Sequence, residues 1–109
     1  MSITTKGYHA EFRLVVHPGE ILGSELEELG ISARELARQI NVPANRITQI
    51  IKGQRGITGD TALRLGHWFG TGPQLWLNLQ STYELNLARK QSGKEIKRLP
   101  RLERASEAA

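Results

Sequence analysis

Between Ala33 and Lys52 the chain reads Ala-Arg-Glu-Leu-Ala-Arg-Gln-Ile-Asn-Val-Pro-Ala-Asn-Arg-Ile-Thr-Gln-Ile-Ile-Lys, and this stretch leaves it few folds to choose from. Ala33, Leu36, Ala37 and Ile40 fall at i, i+3, i+4 and i+7, the spacing that puts apolar groups on one face of an α-helix. Ser32 stands just before them with Glu35 three residues on, the pattern of a capping box. Asn41 tolerates the left-handed backbone that ends a helix. Val42 is apolar and plugs the turn, and Pro43 suits the opening of a new helix. On that second helix Ala44, Ile47, Ile50 and Ile51 point one way, and Asn45, Gln49 and Lys52 the other, with Arg46 and Thr48 on the flanks. The small side chain of Ala37 lets the two helices approach closely.

Two short helices joined by a tight turn, the second with a polar outer side, are the sequence form of a helix-turn-helix, which lays its second helix in the DNA major groove. The residue types suit that task. Asn and Gln pair bidentately with adenine, and Thr bonds a base edge or touches a thymine methyl. Ala44, Asn45, Thr48 and Gln49 are therefore the candidate base contacts. Ser32, Arg34, Arg38, Arg46, Lys52 and Arg55 are the candidate phosphate contacts, Ser32 because backbone amides at a helix N-terminus attract anions. Phosphate contacts set affinity and register, whereas base contacts set sequence preference.

Charge is distributed to match. The net charge is +4, but residues 18–30 carry Glu20, Glu25, Glu27 and Glu28 with no basic residue. Residues 31–56 carry Arg34, Arg38, Arg46, Lys52 and Arg55 against Glu35 alone, and residues 90–109 hold six Lys or Arg against three Glu. The basic excess thus lies on the helix-turn-helix and on the tail, as a phosphate footprint would. The acidic residues of the first helix read as its solvated face.

Around this motif the rest of the chain also reads as helix. Phe12, Leu14 and Val16 alternate with polar or smaller neighbours, so residues 1–17 are expected to form a short strand or extended arm. A first helix begins at Pro18 with Glu20 in its first turn, carries Leu22, Leu26 and Leu29 inward, and stops at Gly30. Thr58 is placed to cap a helix over residues 59–69, with Ala62, Leu65, Gly66 and Phe69 inward and Gly70 at its end. Thr71 and Gln74 suggest a capping box around Pro73 for a fifth helix, on which Leu75, Leu79, Tyr83 and Leu87 recur every four residues, and Leu77 and Leu85 widen the apolar surface. Ser92-Gly93 is expected to break it. Ile96, Leu99 and Leu102 then mark at most an apolar edge that Pro100 interrupts. The expected organisation is an arm over 1–17, one all-α domain over 18–91 and a basic, mobile tail over 92–109. Trp76, Leu79, Tyr83 and Leu87 are the candidate dimer interface.

The chain resembles HigA-type antitoxins of the Xre/Cro-like helix-turn-helix group. The resemblance runs from His17 to about Arg89, roughly two-thirds of the chain. It rests on His17-Pro-Gly-Glu-Ile-Leu22, Glu35-Leu-Ala37, Val42-Pro43, Asn45-Arg-Ile47, Gly53-Gln-Arg-Gly-Ile57, Thr61-Ala-Leu-Arg-Leu65 and Phe69-Gly-Thr-Gly-Pro-Gln-Leu-Trp-Leu-Asn-Leu-Gln80. Each is weak alone, but their order and spacing together are specific. The resemblance implies a five-helix, lambda-repressor-like fold and a homodimer on double-stranded operator DNA. It further implies repression of the chain's own toxin–antitoxin operon and neutralisation of a HigB-like ribonuclease toxin of the RelE-like kind. The competing reading is a stand-alone Xre-family regulator with no toxin partner. Asn41 stands where the general motif has glycine, and Pro43 where it has a Ser or Thr cap worth ~1 kcal/mol. The basic tail lies outside the resemblance.

Other chemistries find no support. There is no cysteine, hence no disulfide, thiolate metal site or thiol nucleophile. His17 and Glu20 sit three apart at a helix start, but two ligands do not make a metal site, and His9 and His67 are isolated. No phosphate-binding loop or catalytic triad pattern stands out, so neither an enzyme nor a cofactor is expected. No apolar leader or membrane-length run is present, and a cytoplasmic protein with no membrane partner is the expectation.

Overall fold

The computed structural model describes residues 15–103, and across them the expected all-α architecture of five helices is what forms: α1 (Pro18–Leu29), α2 (Ala33–Gln39), α3 (Ala44–Ile51), α4 (Gly59–Phe69) and α5 (Pro73–Lys97). Phe12 and Leu14 of the expected arm lie outside the described residues. The reversal between α2 and α3 turns on Asn41, at φ 59°, the one non-glycine residue with positive φ among those described. Val42 packs partly buried against the core beside it.

One apolar cluster holds the helices together. Leu22 and Leu26 of α1 meet Leu36 and Ala37 of α2, Ile47 and Ile50 of α3, and Ala62 and Leu65 of α4, with Ile40, Ile57 and Trp76 completing it. Trp76 is 0% exposed and packs tilted on Phe69, ring centroids 5.3 Å apart. Two glycines make the close approaches possible. A Cβ on Gly66 would lie 2.3 Å from the Gly72 carbonyl carbon, at the corner where α4 turns into α5. A Cβ on Gly19 would lie 1.7 Å from the Ile50 carbonyl oxygen, so the start of α1 rests directly on the last turn of α3. His17 fixes that start. Its Nδ1 accepts from the Gly19 amide at 2.8 Å, and its own amide donates to the Glu20 carboxylate at 3.2 Å. The ring meets Tyr83 of α5 edge-on at 4.8 Å. The His17–Glu20 pair is therefore a capping box.

Several expectations need correction. Leu29 is 52% exposed, because it lies in the last turn of α1, past the core and next to the Gly30 reversal. Ile21 and Glu25 are buried instead, so Glu25 does not belong to a solvated acidic face. The capping box at α2 is half made. Ser32 Oγ accepts from the Glu35 amide at 3.1 Å, but the Glu35 carboxylate turns to Arg38 and Gln39. No box opens α5, because its N-cap is Gly72 and Thr71 stands one residue too early. Thr71 donates to the Gly72 carbonyl, and Gln74 donates to Asn78. Finally, α5 does not break at Ser92-Gly93 but runs on to Lys97. A single glycine costs a helix only ~1 kcal/mol, and good helix formers lie on either side, Arg89, Lys90 and Gln91 before it and Lys94 and Glu95 after it. The helix ends ahead of Pro100, where the residue before a proline leaves the helical region. Residues 92–97 of the expected mobile tail are thus helical.

Candidate nucleic-acid interface

α2 has seven residues and α3 eight, too few to persist alone in water. They stand because Leu36, Ala37, Ile47 and Ile50 are all buried. That burial fixes which side of α3 faces out. Asn45 and Lys52 are exposed, and Thr48 and Gln49 are half-buried at the rim. Thr48 Oγ1 donates back to the Asn45 carbonyl at 3.3 Å. Pro43 is the N-cap and offers no side-chain hydrogen bond. Ala44 is half-buried and packs on the core, so of the four expected base contacts it is the one turned from the open face.

The cations around α3 divide into two kinds. Arg34, Lys52 and Arg55 are exposed. Arg38 is exposed as well, but its guanidinium is forked onto the Glu35 carboxylate, with Nε donating at 3.0 Å and Nη2 to the second oxygen. Arg38 and Gln39 hold the Glu35 carboxyl down at about 2. Such a solvent-facing pair is weak. Arg46 is different. It reaches across to α4 and donates to Asp60 at 2.6 Å, with 27% of its own side chain and 54% of the Asp60 side chain exposed.

Asp60 and Arg64 are interface-supporting residues that sequence reasoning missed. The same Asp60 oxygen accepts from Arg64 Nε at 2.9 Å. Arg64 Nη1 then donates to the carbonyls of Ile40 and Asn41, at 2.8 and 3.4 Å. The Asp60–Arg64 spacing of i, i+4 was legible as a helix pair. Their partners 14 and 24 residues away were not. Further supports are the Trp68 indole N–H donating to Gln39 at 2.7 Å and the Ile57 amide donating to Gln80 of α5 at 2.7 Å.

On α5 the expected dimer residues do not form one exposed stripe. Trp76 is wholly enclosed within its own chain and offers no surface to a second one. Tyr83 is engaged with His17, and Leu79 and Leu87 are half-buried. Among the described residues no three His, Asp or Glu side chains gather as a metal site would require, and no helix is long and apolar enough to cross a membrane.

A clamped pair of short helices with a polar outer side and a basic surround defines a helix-turn-helix domain. A family model described as helix-turn-helix matches residues 22–76. The chain belongs to that family, to its Xre-like branch, and its structural neighbours are HigA-family antitoxins. It is 51% identical over 74 residues to virulence-associated protein I of Dichelobacter nodosus, covering 67% of this chain and 68% of that protein. It is similar to an addiction-module antidote protein of the HigA family from Coxiella burnetii, at 50% identity and a TM-score of 0.77, covering 80% of this chain and 97% of that one. It is also similar to the Pseudomonas aeruginosa antitoxin HigA solved with the higBA promoter, at 44% identity and a TM-score of 0.77, covering 83% and 100%.

Proposed function

We propose that this chain is the antitoxin of a toxin–antitoxin pair, a cytoplasmic homodimer that represses its own operon. Each protomer inserts α3 into one major groove of a roughly palindromic operator, with half-site centres one helical turn apart, ~34 Å. Asn45, Thr48 and Gln49 read base edges. Arg34, Arg38, Lys52 and Arg55, with the α2 N-terminus at Ser32, engage phosphates. The observation that carries this reading is the outer side of α3, polar on a helix locked by Ile47 and Ile50, and ringed by exposed cations. The promoter complex of the Pseudomonas aeruginosa relative supports it. The half-buried Leu79, Tyr83 and Leu87 of α5 supply the dimer contact, and a HigB-like ribonuclease of the RelE-like kind is the protein partner.

The test is fluorescence anisotropy with the chain's own upstream DNA and a scrambled duplex across a salt series. Operator binding ~10³-fold or more tighter than control is expected. Gln49→Ala is expected to cost ~1–3 kcal/mol and to relax preference at one base position. Equal, weak and steeply salt-dependent binding to both duplexes would leave only generic phosphate attraction. Co-purification of the neighbouring gene product tests the toxin, and a chain that binds its operator but no such product is a stand-alone regulator.

A further inference from the structure

The Arg46–Asp60–Arg64 chain of contacts does more than decorate the surface. Arg46 lies on α3, beside the residues that face DNA, and its guanidinium is the group that elsewhere would take a phosphate. Here it is already occupied by Asp60 Oδ2. That oxygen also holds Arg64, whose other edge binds the carbonyls of Ile40 and Asn41, at the end of α2 and in the turn. A helix leaves its last carbonyls without partners, so Arg64 supplies what the backbone lacks at the point where α2 hands over to α3. A single carboxylate therefore ties α3, α4 and the turn together. Isolated surface ion pairs contribute little, but a connected network of fixed geometry is the exception. Asp60 stays ionised under ordinary conditions, since hydrogen bonds from Arg64 and Arg46 hold its carboxyl below its usual value.

We infer that Asp60 is the positioning residue of the DNA interface: its carboxylate stands in for a DNA phosphate at Arg46 and, through Arg64, fixes the turn that aims α3. This rests on the DNA-binding reading above and deepens it. Two consequences follow together. Arg46 is withheld from non-specific phosphate attraction, and α3 meets the groove in one orientation. The protein thereby gives up generic affinity in exchange for discrimination between sequences.

The test uses the full-length protein, its own upstream duplex and a scrambled duplex, each titrated across a salt series. Asp60→Asn keeps the shape and removes the charge. It is expected to tighten binding to the scrambled duplex, to steepen the salt dependence by about one phosphate contact, and to lower the operator-to-scrambled ratio about tenfold. Arg46→Ala alone is expected to leave the wild-type salt slope in place, and adding it to Asp60→Asn is expected to restore that slope. Arg64→Lys keeps the charge but loses the planar fork, so it is expected to lower the ratio without steepening the slope. Far-UV circular dichroism and a thermal melt show that each variant is folded at the assay temperature. A purely structural role would weaken both duplexes in proportion, and that result, or an unchanged ratio and slope in Asp60→Asn, overturns the inference. Wild-type protein that treats both duplexes alike overturns the DNA-binding reading itself, and this inference with it.

Discussion

The α2–α3 unit and the far half of α5 are both helical for opposite reasons. α2 and α3 are too short to exist unaided, and every turn of them is held by something outside itself: Leu36, Ala37, Ile47 and Ile50 in the core, Asn41 in the turn, Arg64 across the α2 end. The last turns of α5 have almost no such help. Lys90, Lys94, Ile96 and Lys97 are exposed, and the helix continues there by its own backbone bonds, propagating from an anchor at Trp76 and Asn86. A helix that must present side chains at defined positions is thus built from clamping, whereas one that merely extends needs only length and composition.

The largest expected effect tests that contrast directly. Ile47→Ala empties a fully buried site between α2 and α3 and is expected to cost ~2–5 kcal/mol, a large share of the ~5–15 kcal/mol typical of a domain. Ile96→Ala, on the exposed end of α5, is expected to stay within ~0.5 kcal/mol. Urea denaturation of both variants measures the gap, and comparable losses would break the comparison.

A smaller effect is expected at His17, which caps α1 and joins it to α5 through Tyr83. Burial lowers its pKa from the ordinary 6.5, with the Glu20 charge opposing in part. Above pH 6.5 both folded and unfolded chains hold His17 neutral, and its contribution is complete. As the pH falls below 6.5 the unfolded chain takes the proton first, so stability declines until the pH has passed the folded value. A protonated Nδ1 also cannot accept from the Gly19 amide. Thermal melts of the wild type are therefore expected to fall between pH 7 and 5. Asn also accepts hydrogen bonds at a helix cap and does not titrate, so His17→Asn is expected to give a flatter profile. Glu35 and Asp60, both held low by guanidiniums, stay charged through this window and do not obscure it.

The smallest effect sharpens the picture of α5. Gly93→Ala adds a Cβ whose nearest neighbour among the described residues is Arg89 at 4.0 Å, an ordinary contact. The gain in helix propensity is at most ~1 kcal/mol, spent on the end of α5. Amide hydrogen exchange is expected to slow around residues 90–97 while the global unfolding midpoint hardly moves. A large shift in the midpoint would mean that this end is part of the cooperative core.

What was legible in the sequence follows the same division. The helix-turn-helix could be read because Ala33, Leu36, Ala37, Ile40, Ile47 and Ile50 answer to local spacing, and Asn41 and Pro43 to local backbone limits. The outward set Asn45, Gln49 and Lys52 came with it, with Thr48 on its flank. The course of α5 was harder to read. Its Leu75–Leu87 repeat suggests a buried stripe, yet the wholly buried residues are Trp76 and Asn86, because the helix packs on α4 with its Trp face. Glycine at 93 resembles a stop, but nothing nearby competes with the helix. The Asp60 bridge was invisible for another reason: hydrogen bonds between residues 14 and 24 apart leave no periodic trace. Arg46 was expected to contact phosphate, and its partner within the chain, Asp60, could be found only in three dimensions.

The contact between Gly19 and Ile50 has a consequence at the level of the codon. Every amino-acid replacement of glycine, conservative or not, adds a Cβ, and here any Cβ would fall inside the carbonyl of Ile50. Position 19 has no mild substitution within reach of a single base change. A catalogue of tolerated variants of this gene is expected to show a more complete gap there than at Ile47, where Ile→Val costs only ~0.5–1.5 kcal/mol, although residue 19 carries no side chain and no charge.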